Sequence, residues 1–544
     1  LFTFSMLMLV MANNMLQLFF GWEAVGLVSY LLIGFYYKRD TAIFANMKAF
    51  IINRVGDFGF ILGIGLLFAY TGSLNYVEVL EKANQLATLS LPGTDWLLLT
   101  VVCICLFIGA MGKSAQVPLH SWLPDSMEGP TPISALIHAA TMVTAGIYMV
   151  ARFSPIFEFS DTALSLMIIV GGLGALFLGI LGVVQNDIKR IIAYSTLSQL
   201  GYMVVALGAS AYSVAIFHMM MHAAFKALLF LAAGSVIIAL HHNQDIRYMG
   251  GLKKYMPVTY YTFLIGALSL AAFPFFSGFY SKEHIIEAAG AANVWGANFA
   301  YFCVTLGALV TSLYIFRAFF VVFHGNERYD QAPHDDEHDH GHDDAHHGGH
   351  HDKPKESPWV VTLPLVALAI PSVFAGAFLV QPLLFSDFFT YLNSVQHTGH
   401  DAMRILADGW HGWLAYGLHS VSTLPFYLAI GGIVITWYCY VVNPKAPVAI
   451  AKLFAVFKPL LDNKYYFDWF NEKVIMPFTR WFGNELWTKF DQGVIDNIFV
   501  NGSAKVVAAV ASVSRRLQSG YIYHYAFFMI IGLMALITFI LVNK

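Results

Sequence analysis

The sequence has little charge, because only 12% of its 544 residues are Asp, Glu, Lys or Arg, whereas 58% are hydrophobic. A soluble globular domain carries about 25% charged residues, so this composition excludes that class. The apolar runs are continuous and close to ~20 residues long, which favours membrane-spanning helices over the alternating strands of a barrel. The net charge of -3, without a basic block, gives no indication of nucleic-acid binding. The sequence therefore predicts an all-α polytopic membrane protein.

Cysteine is also scarce. The four cysteines lie in apolar stretches without the spacing of a metal or iron–sulfur site. No Gly-rich nucleotide-binding loop follows a predicted strand. We therefore expect neither a metal nor a cofactor in this chain, so any redox chemistry takes place in other subunits.

The chain opens inside an apolar run at residues 1–11, without the basic region of a signal peptide. We interpret this run as the remnant of a truncated N-terminal span. Twelve further spans are predicted, near residues 14–37, 43–70, 96–118, 131–150, 162–184, 190–208, 213–240, 258–278, 299–323, 358–384, 424–442 and 521–542.

Two segments between the spans are polar. The loop at 324–357 contains the low-complexity tract His334–Asp352, with eight histidines among Asp, Glu and Gly. Such a tract can bind zinc or nickel adventitiously, and the alternative is a loop without a bound metal. The region 443–520 mixes aromatic and charged residues, which predicts an amphipathic helix lying along the membrane surface before the final span at 521–544. Three glycines, Gly483, Gly493 and Gly502, are expected to break or bend that helix.

Ionisable residues inside the first spans are the most informative feature, because each costs about 2.5–3.5 kcal/mol at mid-bilayer. Glu23 has apolar neighbours on both sides and no local partner. Asp57 follows Arg54 by one helical turn, so a structural salt bridge is an alternative to a functional role. Lys113 lies between Gly112 and Pro118. Proline kinks a helix, so this span should be discontinuous, and broken helices are where transporters place ion sites.

A second group of titratable residues lies further along the chain. His218, His222 and Lys226 are spaced i, i+4, i+8 and therefore share one helix face over ~12 Å. A lone histidine would more often be a satisfied core residue, but three titratable groups in a line are typical of a proton wire. His138 could join this line from another helix. A second interruption, at Pro274 and Gly278, comes just before Lys282 and Glu283.

The two predicted breaks lie five spans apart, in the third and the eighth span. An odd offset gives two five-helix units opposite topology, which is typical of transporters built from inverted repeats with discontinuous helices. We therefore predict a first antiporter-like repeat at 14–160 and a second at 162–323. Additional spans follow at 358–442.

Several sequence blocks resemble the proton-conducting membrane subunits of respiratory complex I. They are GWEAVGLVSYLLIGFYY, NRVGDFGF, GKSAQVPLHSWLPDSMEGPTPISALIHAATMVTAGIY, IKRIIAYSTLSQLGYM, HMMMHAAFKALLFLAAGSVI and GFYSKEHI, and they cover residues 14 to about 290 in the order of that family. GWEAVGLVSYLLIGFYY and MEGPTP favour the largest of the antiporter-like subunits, the chain-5 or subunit-L type. The resemblance implies sixteen helices, so that about three and part of a fourth would precede residue 14.

The resemblance also implies roles for individual residues. Glu23 and Lys113 match the uptake-side Glu/Lys pair, with Asp57 nearby. The central lysine matches Lys226, bridged by His138, His218 and His222, and the release-side lysine matches Lys282, beside Glu283.

The same resemblance implies NADH, flavin, iron–sulfur clusters and quinone in partner subunits, and membrane neighbours contacted by the lateral helix. The shared core leaves a subunit of a multisubunit sodium/proton antiporter or of a membrane-bound hydrogenase as alternatives. The charged loops favour a bacterial inner membrane over the mitochondrial inner membrane.

Overall fold

The computed structural model describes residues 1–331, 353–389 and 402–543. The regular elements in these ranges are helices, accompanied by isolated β-bridges. The predicted histidine-rich tract at 334–352 lies outside the described residues. The chain forms two compact units, Leu1–Tyr465 and Tyr466–Lys544.

The main helices of the first unit are numbered here in chain order. They are α1 Phe2–Val10, α2 Met15–Ile33, α3 Asp40–Thr71, α4 Leu98–Lys113, α5 Thr131–Ala139, α6 Ala145–Arg152, α7 Asp161–Leu173, α8 Ile188–Gly208, α9 Tyr212–Ala239, α10 Pro257–Leu270, α11 Ser277–Ala291, α12 Ala297–Phe323, α13 Trp359–Leu384 and α14 Leu424–Trp437. Helix α7 continues through the π-helical turn Gly174–Leu178 into Gly179–Val184. Short helices connect these elements, at Tyr76–Glu81, Ala83–Leu86, Trp122–Asp125, Ser154–Phe157, Ala402–Asp408, Trp413–His419, Ala446–Leu453 and Lys458–Asp462.

Eleven helices in the described ranges are long and apolar enough to cross a membrane. Two more apolar helices are too short, because α4 has 16 residues and α10 has 14, which is ~21–24 Å of helix against a ~30 Å hydrocarbon core. These two are the spans that the sequence predicts to be interrupted.

The two interruptions have the same local cause. After α4 the backbone turns at Ala115, which has φ 47°, and after α10 it turns at Ala272 and Phe275, with φ 59° and 71°. Non-glycine residues rarely adopt this left-handed conformation, and it ends the helical hydrogen-bond ladder. At the second break, Lys282 lies inside the shorter helix that follows, in the second turn of α11.

Helices α3 and α4 pack at very close range. A Cβ atom placed on Gly56 would lie 2.9 Å from the Cα of Gly112, and one on Gly112 would lie 3.1 Å from the Cα of Gly56. Any side chain at either position would therefore force the two backbones apart. This close contact fixes Asp57, the neighbour of Gly56, against Lys113, the neighbour of Gly112.

Helices α8 and α9 form the centre of the first unit. All but one residue of α8 is buried, and the polar residues of α9 that face it are fully buried. Since both helices are surrounded by protein, their ionisable side chains meet other polar groups rather than lipid.

The predicted amphipathic region at 443–520 is divided by the structure. Its first part, including Ala446–Leu453 and Lys458–Asp462, belongs to the first unit. The second unit consists of a helical run from Phe467 to Leu517, here called the arm, and the final helix α15 Ile522–Val542.

The arm shows no break at its three glycines, contrary to the expectation from the sequence. Gly483 lies within Met476–Glu485, Gly493 within the π-helical stretch Leu486–Val500, and Gly502 within Asn501–Leu517. A glycine costs about 1 kcal/mol in a helix, which is too little to end a run of this length.

Candidate functional site

The first cluster of charged residues joins α2, α3 and α4. Arg54 forms ion pairs with Glu23 and, at 3.4 Å, with Asp57. Glu23 therefore has a partner, which comes from a neighbouring helix and not from its own. The side chain of Arg54 is 38% exposed and that of Asp57 only 6%, so the guanidinium lies at the rim of the cluster.

Lys113 lies on the buried side of this cluster. Its Nζ lies 3.6 Å from Oδ1 of Asp57, which also accepts a 2.7 Å hydrogen bond from the indole Nε1 of Trp22. The predicted Glu23–Lys113 pair is thus replaced in this structure by two linked pairs, Glu23–Arg54 and Asp57–Lys113. Gly26 makes room for the lysine, because a Cβ there would lie 2.6 Å from Nζ.

His138 and His222 both lie near the C-terminal end of α5. The hydroxyl of Ser126 donates to a carbonyl and therefore accepts from Nε2 of His138, at 2.9 Å. Nδ1 of His222 donates to the carbonyl of Ala139 at 2.8 Å. The other nitrogen of each ring has no hydrogen-bond partner among the described residues, so it is available as an acceptor when the ring is neutral.

His218 is held differently, on the same face of α9. Its Nε2 donates to Oε1 of Gln199 at 3.1 Å, and its Nδ1 lies 2.8 Å from the hydroxyl of Ser281 at the start of α11. Both nitrogens of this ring are therefore engaged. Lys226, two turns further along α9, donates to the hydroxyl of Ser195 on α8.

Lys282 lies on α11 between α8 and α12. Its Nζ donates to Oγ1 of Thr311 at 3.1 Å and lies 4.6 Å from the ring centroid of Tyr202. The carboxylate of Glu283 is almost fully buried but points elsewhere, since it forms no ion pair with Lys282.

Five polar atoms of these residues have no hydrogen-bond partner among the described residues. They are Oε1 of Glu23, Oδ2 of Asp57, Nζ of Lys113, Nδ1 of His138 and Nε2 of His222. Buried polar atoms are rarely left unpaired in proteins, so each marks a position where a water molecule or a proton can bind. In the described ranges, no group of three or more His, Cys, Asp or Glu side chains could hold a metal ion.

The ionisable site residues therefore lie on helices that pack against one another, from α2 to α11. Ion pairs join Glu23 to Arg54 and Asp57 to Lys113. The residues further along the chain bind neutral groups of the neighbouring helices, as the contacts of His222, Lys226 and Lys282 show. Residues 12–309, which contain all of these groups, match the family described as NADH:quinone oxidoreductase/Mrp antiporter, TM. The chain belongs to that family.

Relatives of the NADH:quinone oxidoreductase/Mrp antiporter family match nearly the whole chain. NADH-quinone oxidoreductase subunit L of Neisseria meningitidis serogroup A is 58% identical over 543 residues, covering 99% of this chain and 80% of the relative. The subunit L of Rhodobacter capsulatus is 40% identical over 602 residues, covering 99% and 82%. NADH-ubiquinone oxidoreductase chain 5 of Marchantia polymorpha is 41% identical over 555 residues, covering 99% and 78%.

A solved structure of the same fold is the Mrp complex from Dietzia sp. DQ12-45-1b. The chain described here superimposes on it with a TM-score of 0.64 at 24% sequence identity. The match covers 100% of this chain and 51% of the chain in the Mrp complex. The identity is low, so this likeness concerns the helical fold.

Sequence reasoning found the ionisable residues of this antiporter-family site but missed its neutral partners. Ser195, Gln199 and Tyr202 contact Lys226, His218 and Lys282, respectively. Their spacing, i, i+4 and i+7, places all three on one face of α8, which is a signal that the sequence does contain. Trp22 gives no such signal, because a tryptophan in an apolar span is ordinary.

Proposed function

We propose that this chain is the proton-translocating, antiporter-like subunit of NADH:quinone oxidoreductase (complex I) in a bacterial inner membrane. The relatives at 40–58% identity carry the name of subunit L or chain 5 of that enzyme. The observation that supports translocation is the set of ionisable residues, most of them buried, on the packed helices α2–α11. Electron transfer belongs to other subunits, which hold NADH, flavin, iron–sulfur clusters and quinone.

Arg54 acts as the switch at the uptake side. It contacts two carboxylates, while Lys113 contacts only one of them, Asp57. When Arg54 moves onto Glu23, Asp57 is left to stabilise a protonated Lys113. When Arg54 returns to Asp57, that stabilisation weakens and the proton leaves Lys113 for the histidines.

The free nitrogens of His138 and His222 receive the proton without breaking an existing hydrogen bond. His218 has no free nitrogen. Its Nδ1 lies against the hydroxyl of Ser281, which also lies 3.3 Å from the carbonyl of Gly278, so protonation of Nδ1 requires that hydroxyl to direct its hydrogen to Gly278. This places a barrier between the central lysine, Lys226, and the release side at Lys282 and Glu283. A neutral histidine can accept and donate at opposite nitrogens, which lets it pass a proton in one direction.

The repeats and the arm fit the same function. Residues 14–160 and 162–323 each contain one interrupted helix, and we propose that they form the two inverted antiporter-like repeats. The residues of the arm are not buried within the chain, although many are aromatic or apolar. Apolar surface of this extent requires lipid or protein to cover it, so we propose that the arm lies along neighbouring antiporter-like subunits.

The central test is NADH-driven proton uptake in inverted membrane vesicles with Lys226→Ala. We expect proton uptake to be lost and NADH oxidation by an artificial electron acceptor to be retained. The reason is that the variant lacks the central lysine from which the proton would pass on to Lys282. Lys253→Ala is the matched control, since Lys253 is an exposed loop lysine. Full uptake by Lys226→Ala would contradict the path, and uptake that needs sodium but no NADH would favour an antiporter without redox partners.

A further inference from the structure

The ammonium of Lys282 has an unusual environment for a buried cation. Only 1% of the residue is exposed, yet it forms no ion pair with a carboxylate in the part of the chain that the structure describes. The hydroxyl of Thr311 donates to the carbonyl of Gly307 at 2.7 Å, so towards Lys282 it serves as an acceptor. One neutral oxygen is a weak replacement for the hydration shell of an ammonium.

The second contact of Lys282 is the face of an aromatic ring. Nζ lies 4.6 Å from the ring centroid of Tyr202, well within the ~6 Å range of a cation–π interaction. The ring is completely buried, and its hydroxyl donates to the carbonyl of Val304 at 2.5 Å. Gly307 leaves room for the phenol hydroxyl of Tyr202, because a Cβ at this position would lie 2.5 Å from the hydroxyl oxygen. Helix α12 therefore fixes the ring of Tyr202 so that one face meets α11.

We propose that the ring face of Tyr202 takes the place of a carboxylate for Lys282 and is a working part of its proton switch. The inference rests on the proposed role of Lys282 in proton release. A π face attracts the ammonium but not the neutral amine, so it favours the protonated lysine. Its attraction is weaker than that of a buried carboxylate, so it stabilises the charged lysine to a smaller extent. Lys282 can therefore bind a proton and still release it.

The first interrupted helix shows the same pairing independently. Nζ of Lys113 lies 5.8 Å from the ring centroid of Trp22, which is also completely buried. At Lys113 both the ring and Asp57 contact the lysine, whereas Lys282 forms no ion pair with a carboxylate among the described residues. An aromatic face at the lysine thus accompanies each of the two interrupted helices.

Other titratable groups also lie near Lys282, and their titration contributes to the pH dependence of proton uptake. Glu283 is its neighbour on α11, and His218 and Lys226 on α9 interact with it electrostatically. On α12, Tyr314 and Cys303 lie near Tyr202 itself. A substitution that alters only the ring leaves all of these groups in place.

The test compares proton uptake per NADH oxidised, as a function of pH, for Tyr202→Leu and Tyr202→Phe in the intact complex. Leucine removes the π face, so we expect uptake to fall ~10-fold or more and its alkaline limb to move to lower pH. Phenylalanine keeps the face and loses only the bond to Val304, so it should retain most of the uptake. Tyr194→Leu is the matched control, because Tyr194 is buried on the same helix ~12 Å away.

Phenylalanines with one, two or three ring fluorines at position 202 separate electrostatics from packing. Each fluorine weakens the negative face with little change in size, so uptake should fall stepwise with their number. Equal uptake across the series, or equal loss for leucine and phenylalanine, would overturn the role of the ring. Lys282→Ala decides the proposed function separately: normal uptake in that variant would overturn the path through Lys282, whatever the ring variants show.

Discussion

Asp57→Asn is the sharpest perturbation of the uptake side, because one carboxylate serves three partners. Asp57 contacts Lys113 at 3.6 Å and Arg54 at 3.4 Å, and it accepts from Trp22 at 2.7 Å. Asparagine keeps an oxygen for the indole but removes the charge. The change therefore tests the electrostatic role of Asp57 while preserving its shape.

The magnitude follows from the geometry. At 3.6 Å and an effective dielectric constant of ~20, the attraction between Asp57 and a charged Lys113 is about 4–5 kcal/mol. Measured losses on breaking buried ion pairs are similar, at about 3–5 kcal/mol. A loss of ~4 kcal/mol lowers the equilibrium constant for protonation of Lys113 by about three orders of magnitude. We therefore expect NADH-driven proton uptake to fall at least ~10-fold, even if the cluster rearranges in part.

The assay is dye-reported acidification of inverted vesicles, normalised to NADH oxidation by an artificial acceptor. The second measurement reports assembly of the electron-transfer subunits and should stay constant. Asp125→Asn is the matched control, since it removes a carboxylate that contacts Lys48 at 2.6 Å in the connection after α4. Wild-type uptake by Asp57→Asn, with the complex assembled, would refute the idea that Asp57 stabilises the proton on Lys113.

Two further predictions concern the packing and the surface. Gly26→Ala should reduce proton uptake several-fold without loss of assembly, because its Cβ would lie 2.6 Å from Nζ of Lys113, whereas Gly65→Ala meets nothing within 4 Å and should leave uptake unchanged; equal effects of the two variants would argue against steric control of the lysine. The hydrogen bond from Lys254 holds the pKa of Glu327 below its usual range at the ends of α10 and α12. A lowered carboxyl pKa contributes stability above the unfolded-state value of about 4.3, and this contribution disappears as the pH falls through the folded-state value. Glu327→Gln should therefore lower the inactivation temperature slightly at pH 7 and have no effect once the pH is below the folded-state pKa of Glu327. A difference that persists in strong acid would exclude this ion pair as its cause.

Much of this fold follows from local features of the sequence. The interruptions near Lys113 and Lys282 are predictable because proline and glycine act on the backbone within a few residues. Ionisable residues stand out in apolar spans for the same reason, since their cost is set by the membrane and not by distant neighbours.

The pairing of these charges could not be predicted, because it depends on tertiary packing. Which carboxylate meets Lys113 is decided by the contact between Gly56 and Gly112. That Glu23 instead pairs with Arg54 depends on the relative rotation of α2 and α3. The role of Tyr202 could not be predicted, because an aromatic residue in a membrane span usually serves packing and only rarely contacts a cation.

The glycine contact between α3 and α4 also sets the time scale of the uptake switch. With no side chain between Gly56 and Gly112, neither helix can rotate or slide without separating from the other, so Asp57 and Lys113 stay together. The part left free to change is the half-exposed guanidinium of Arg54, which moves by side-chain rotation. Such rotations take picoseconds to nanoseconds, whereas helix displacements take microseconds to milliseconds. The proposed exchange of ion pairs by Arg54 is therefore much faster than enzyme turnover. It would not limit the rate at which proton uptake responds to electron transfer.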